Sequence, residues 1–257
     1  MEMKKLLAAA LALSASGAWA AQGTVYTENG SQSGDIRWQP KAKTYLVSYK
    51  KGNTNVSAEF PLADVKELDV AKPDGFDKLV GMVRSGSGPA AVRGLEAIVK
   101  EYRMLDWDKK AGRYLVEAYL ASGKAQQALS TAENMIMEDA KAAYSGDLAP
   151  AYWQALLKLN KTNKLEECLK KAAASGSRAA SAEALIMRGD MILATEGDNI
   201  AAHRKALVDG YLRVAIMYND PPCKEARRDA MLRCATSFEK IGMGTRAENM
   251  RTESAKL

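Results

Sequence analysis

Two periods of hydrophobicity divide the chain. Between Gly23 and Val70, apolar and polar residues alternate in Asp35-Ile36-Arg37-Trp38, in Tyr45-Leu46-Val47-Ser48-Tyr49 and in Val56-Ser57-Ala58-Glu59-Phe60. A period of two marks a strand with one buried face. It predicts that Ile36, Trp38, Tyr45, Val47, Tyr49, Val56, Ala58 and Phe60 share the inner side of one sheet. Turn residues separate the strands: Asn29-Gly30 with the run Ser31 to Gly34, then Pro40 to Lys43, then Lys51-Gly52-Asn53. Pro61 to Val65 reads as a tight turn before a last strand over 66–70. Four or five such strands enclose little apolar volume, so the sheet should lean on whatever follows it.

From Pro73 the period lengthens to that of a helix, about 3.6 residues. Phe76, Leu79, Val80 and Val83 form one stripe, which ends at Ser85-Gly86-Ser87-Gly88. Pro89 opens a second helix with Val92, Leu95, Ile98, Val99 and Tyr102 on its buried side. Next, Leu115, Ala118, Tyr119 and Ser122 make a stripe that stops at Gly123, a residue that accepts the left-handed backbone of a helix C-cap. Ala128, Leu129, Ala132, Met135 and Ile136 follow on another helix. So short a connection forces the two helices to be antiparallel neighbours.

The hairpin around Gly123 recurs. Tyr119, Gly123 and Ala128 are spaced by four and five residues, and the same spacing returns at Leu159, Asn163 and Cys168, then at Phe238, Gly242 and Ala247. Between them, 182–222 carries a small residue, Gly189, in a first helix, Tyr211 and Val214 in a second, and Pro221 at its end. A repeated helical pair is one unit of a stacked array. On these residues the segment from Pro73 to the C-terminus resembles tetratricopeptide (TPR) repeat proteins of the bacterial cell envelope. The strands resemble a small SH3-like barrel. The expected fold is therefore α+β: an N-terminal small antiparallel β-barrel over 21–72, then an α–α solenoid of TPR-like hairpins over 73–257.

The first residues add an address. Lys4 and Lys5 precede the apolar run Leu6 to Leu13, and Ala18-Trp19-Ala20 ends the segment. That is the pattern of a cleaved secretory signal over 1–20, too short to remain as a membrane anchor. No later run approaches transmembrane length. The expected product is exported, to the periplasm or the outer-membrane surface. Its net charge is +6, a mild excess compatible with peripheral association with anionic envelope surfaces, although acidic and basic residues are mixed throughout. Cys168, Cys223 and Cys234 are odd in number, and the first and last fall where small buried residues are expected. Buried thiols are the preferred reading over a bridge.

Candidate chemistry is sparse. His203 is the one histidine, expected as a surface or capping residue. No nucleophile elbow, phosphate loop, dinucleotide fingerprint or metal-ligand spacing occurs. The twelve methionines sit mostly at helical spacing, as core filler. No cofactor, metal or nucleic-acid partner is expected, and the protein reads as a non-enzymatic scaffold for a protein or peptide partner. In TPR proteins the first helix of each pair lines the binding surface. Carried over from Tyr119, Leu159 and Ile192, the resemblance implies Arg113, Glu117, Leu120, Trp153, Leu157, Asn160, Ile186 and Asp190 as partner-binding residues, with Trp153 central. The competing readings are a cell-wall glycan module acting through the barrel, and a hydrolase whose carboxylates come together only in the fold.

Overall fold

The computed structural model describes residues 20–257; the signal-like segment from Met1 to Trp19 lies outside the described residues. Five antiparallel strands come first: β1 (Ala21–Thr27), β2 (Gly30–Gln39), β3 (Thr44–Lys51), β4 (Thr54–Pro61) and β5 (Val65–Val70). The first four form a meander. A single 3₁₀ turn, Leu62–Asp64, then carries the chain back, so that β5 pairs with β1 and the order is β4-β3-β2-β1-β5. No ladder among the described residues joins β4 to β5, which leaves the expected barrel open there.

The register confirms the predicted inner face. Ile36 lies opposite Val47, and Val47 opposite Ala58; Trp38 lies opposite Tyr45, and Tyr45 opposite Phe60. The Trp38 and Tyr45 rings sit 4.9 Å apart. Two details differ from expectation. The run Ser31 to Gly34 is strand rather than turn, and β1 is a full strand; each supplies the other's hydrogen bonds, from Thr27 opposite Gly30 to Ala21 opposite Ile36. Weak strand formers become strand here because the partner is in place.

Helices follow as five pairs: α1 (Phe76–Arg84) with α2 (Gly88–Glu101), α3 (Trp107–Ala121) with α4 (Ala125–Glu138), and α5 (Leu148–Lys158) with α6 (Thr162–Ala174). In the fourth pair α7 (Arg178–Glu196) precedes α8 (Ile200–Ala206), which continues through a π turn, Leu207–Tyr211, into α9 (Leu212–Met217). The last pair is α10 (Lys224–Lys240) with α11 (Gly244–Ala255).

By compactness the chain divides between Leu115 and Val116, inside α3. The first unit owes its extent to the small sheet. Its core of Val25, Ile36, Tyr45, Val47 and Val70 is completed by Leu105, beyond the strands. The Tyr45 hydroxyl donates to the Met104 carbonyl at 2.9 Å, and the Trp107 indole N–H to the Val70 carbonyl at 2.8 Å. These contacts fasten the sheet to the segment Met104 to Trp107.

Four hairpin turns share one geometry. After α3, Gly123 N–H donates to the Leu120 carbonyl (3.0 Å) and Lys124 N–H to Tyr119 (2.8 Å). The same pair of bonds recurs from Gly86 and Ser87, from Asn160 and Lys161, and from Gly242 and Met243. This is the Schellman cap, which needs a left-handed residue at its bend; φ is +82°, +71°, +54° and +77° at Gly86, Gly123, Asn160 and Gly242. The turn between α5 and α6 is thus bent at Asn160. Asn163, assigned to that place from sequence, lies inside α6. The repeated triplet there is Leu156, Asn160 and Leu165, again spaced by four and five, and the expected Leu159–Asn163–Cys168 register is corrected by three residues. Gly86, Gly123, Asn160 and Gly197, all with positive φ, then follow one another at 37-residue intervals. The residue five beyond each bend (Ala91, Ala128, Leu165, Ala202 and, after Gly242, Ala247) is buried in every pair.

Candidate partner-binding surface

With the register set by the bends, the exposed side of each first helix can be read without ambiguity. Within the unit from Val116 onward, the residues six and three places ahead of each bend are Glu117 and Leu120, Gln154 and Leu157, Met191 and Ala194, and Thr236 and Glu239. All eight are exposed or half-buried. The residue seven places ahead faces inward: Val116, Trp153 and Ala235 are buried in three of the pairs. The residues six and seven places ahead are neighbours in sequence and so point about 100° apart around the helix.

The sequence-derived surface residues separate under this register. Glu117, Leu120 and Leu157 stand on the exposed stripe. Arg113 is half-buried, in the other unit, with its guanidinium 5.7 Å from the centre of the Tyr114 ring. Asn160 is a bend residue, committed to its turn by a positive φ. Trp153 and Ile186 are core residues, so the apolar patch expected around Trp153 is not a surface feature. Trp153 is 1% exposed, and its indole N–H donates to the Ala143 carbonyl at 2.8 Å. The three-residue register error explains the misplacement: the true counterparts of Glu117 and Leu120 are Gln154 and Leu157.

Asp190 is not a rim charge. Its Oδ1 accepts from the Tyr211 hydroxyl and from Arg233 Nη1, both at 2.7 Å, and Arg233 Nε donates to Asp229 at 3.1 Å. Burial pushes the Asp190 carboxyl above its ordinary range, while Arg233 and Tyr211 act in the opposite sense. This network ties α7 to the π turn and to α10. Gly189, matched from sequence to a small packing position, touches Tyr211, matched to a large one; a Cβ added at Gly189 would lie 2.4 Å from the Tyr211 ring.

His203 is buried rather than on the surface. Its Nδ1 lies 3.1 Å from Ser237 Oγ, and its Nε2 lies 2.6 Å from Asp198 Oδ1, whose other oxygen accepts from Lys240 at 2.6 Å. A serine, a histidine and an aspartate are therefore in line. Ser237 is 1% exposed in the last turn of α10, and a nucleophile must have room for the tetrahedral adduct it forms. The array fastens α8 to α10; it does not present a nucleophile. Hydrogen bonds from Lys240 and then His203 hold the Asp198 carboxyl below its ordinary value of 3.8. A depressed carboxyl pKa stabilises the fold above the unfolded value, and that contribution is lost as pH falls through the folded one. The stability gap between wild type and Asp198→Asn, followed by thermal unfolding, should be widest above pH 3.8 and narrow below it. A gap independent of pH would show that the charge contributes nothing.

The three thiols are buried, and burial raises the pKa of each, that of Cys234 to about 12. Low reactivity follows. Among the described residues no cluster of three or more His, Cys, Asp or Glu is placed to hold a metal ion, and no helix is long and apolar enough to cross a membrane.

Fold and surface together define a protein of tandem helical hairpins preceded by a five-stranded antiparallel sheet. No protein-family model matches the chain, and no curated protein matches it. Two solved structures similar to it are nearly identical TPR-like repeats of a kinesin light chain from Podosopora anserina and a point variant of the same protein. Each is 14% identical, covers 70% of this chain and 91% of its own, and superposes with a TM-score of 0.41.

Proposed function

We propose that the protein is an exported, non-catalytic scaffold that binds a protein partner along the first helices of its hairpins. The observation that carries this reading is the recurrence of uncovered positions at one register: Leu120, Leu157 and Met191 supply half-buried apolar contacts, and Glu117, Gln154, Thr236 and Glu239 a polar surround. Apolar residues inside a polar rim are what a protein interface requires. Repeats that offer the same positions again and again build an extended surface instead of a single reaction centre. Export is supported by the basic, apolar and small-residue order of the first twenty residues. A further support is that β1 begins at Ala21, the residue that cleavage after Ala20 would leave first.

Photo-crosslinking amino acids placed at Gln154, Leu157 or Met191 in the native cell test this reading. They should capture one protein that the same group at Lys170, exposed on a second helix, does not. The Leu157→Glu/Met191→Glu variant should lose that partner with its melting temperature unchanged. Equal capture from both faces would refute the assignment.

A further inference from the structure

The second helix of the fourth hairpin departs from the repeat. α4 and α6 contain 14 and 13 residues, whereas α8, the π turn and α9 run without a break from Ile200 to Met217. One side of this longer helix is core: Ala202, His203, Ala206, Tyr211 and Val214 are buried. The other side presents Ile200, Arg204, Val208 and Ile216, beside Lys205, Arg213 and Met217, while Leu212, in the same one-in-four row, is half-buried against the core. In an α-helix such a row drifts by about 40° per step. The wider π turn advances less per residue and takes back part of that drift, so the row stays on one side of the helix.

This ridge is apolar where surfaces usually are not. Ile200 is 54% exposed, Val208 64%, Ile216 65% and Met217 61%. Four large apolar side chains on one helix face make a patch rather than scattered exceptions. Its charges are basic. Lys205 is paired with Glu196, but Arg204 and Arg213 are exposed and make no ion pair among the described residues. The acid on this helix, Asp209, is half-buried. The far end is held firmly: Arg178 Nη2 donates to the Met217 carbonyl at 2.8 Å, Arg178 also pairs with Asp220, and its guanidinium lies 4.7 Å from the centre of the Tyr218 ring.

We propose that this ridge docks on an anionic phospholipid bilayer, with the helix lying in the plane of the interface. Exposed aliphatic side chains enter the headgroup boundary, while free arginines beside them meet lipid phosphates; this is the combination that interfacial helices use. A second copy of the chain is a poorer occupant. An antiparallel twofold contact centred near Val208 would set Arg204 of each copy close to Arg213 of the other, like charge against like. A partner protein's helix fits poorly as well, because a single convex helix has no walls to enclose its side chains. The proposal uses the second helix of a pair and does not depend on the first-helix surface.

Co-sedimentation of the full chain with vesicles tests it. Wild type should bind phosphatidylcholine vesicles containing phosphatidylglycerol, and bind pure phosphatidylcholine much less. Arg204→Gln and Arg213→Gln should each weaken binding to the anionic vesicles by about fivefold, an effect that added salt should abolish. Val208→Ser/Ile216→Ser should weaken binding at any salt concentration. Both sets alter exposed positions, and unchanged melting curves will verify that they fold. Binding that is indifferent to lipid charge, or the same in all variants, overturns the proposal. So does a concentration-dependent dimer that Ile216→Ser dissociates.

Discussion

Trp153→Ala should destabilise the helical unit by about 3–5 kcal/mol, the usual cost of removing a large aromatic side chain from a packed core. Among the described residues, Trp153 is the largest of the fully buried side chains. Its removal leaves both a cavity and an orphaned acceptor, since the Ala143 carbonyl takes its hydrogen bond from the indole. Chemical denaturation monitored by circular dichroism would show a lower midpoint with a similar slope. A fall of less than about 1 kcal/mol would mean that the site collapses around the gap, or that the tryptophan is not packed as described. Loss of a binding partner by this variant would report lost fold, whereas the same loss from Leu157→Glu would report a lost surface.

The second large effect is expected at Gly210, inside the π turn. A Cβ there would lie 2.7 Å from the Leu185 carbonyl oxygen and 3.0 Å from the backbone of Gly189. Backbone cannot swing aside as a side chain can, so Gly210→Ala should cost about 1–3 kcal/mol or more through overpacking. The atoms nearest a Cβ at Gly189 belong to the Tyr211 ring, which can tilt at the expense of its bond to Asp190. Thermal unfolding of the two variants should rank Gly210→Ala as the more damaging. The reverse order would show that the Tyr211–Asp190 bond is the stiffer restraint.

Much of the architecture was legible from periodicity because burial imposes it. The inner face of the sheet follows directly from alternation at Ile36, Trp38, Tyr45 and Val47, and the break at Gly86 from its composition. β1 escaped notice because Gly23-Thr24 carries no alternating signal of its own, and the serine-rich start of β2 resembles a turn until β1 pairs with it. The repeat was visible but slipped. Leu156, Asn160 and Leu165 satisfy the same spacing as Leu159, Asn163 and Cys168, and a helical pattern moved by about one turn nearly superposes on itself. Only the turn hydrogen bonds decide between them. Trp153 is misplaced for that reason alone, whereas Leu157, expected on the same surface, stays on the exposed stripe. His203 was unreadable for a different reason, since its partner Ser237 lies 34 residues away in sequence.

The bends at Gly86, Gly123, Asn160 and Gly197 have a genetic corollary. Each marks the same phase of the structural cycle, and the bends at Gly123 and Asn160 are even followed by the same residue, Lys124 and Lys161. Unequal recombination between two such phases would delete or duplicate one whole hairpin and leave every helix seam intact. Up to Gly197 each such event would change the length by 37 residues, the interval between the bends. Past that point the step to Gly242 is 45 residues, so a crossover between those two bends would add or remove a longer unit that includes α8 and α9.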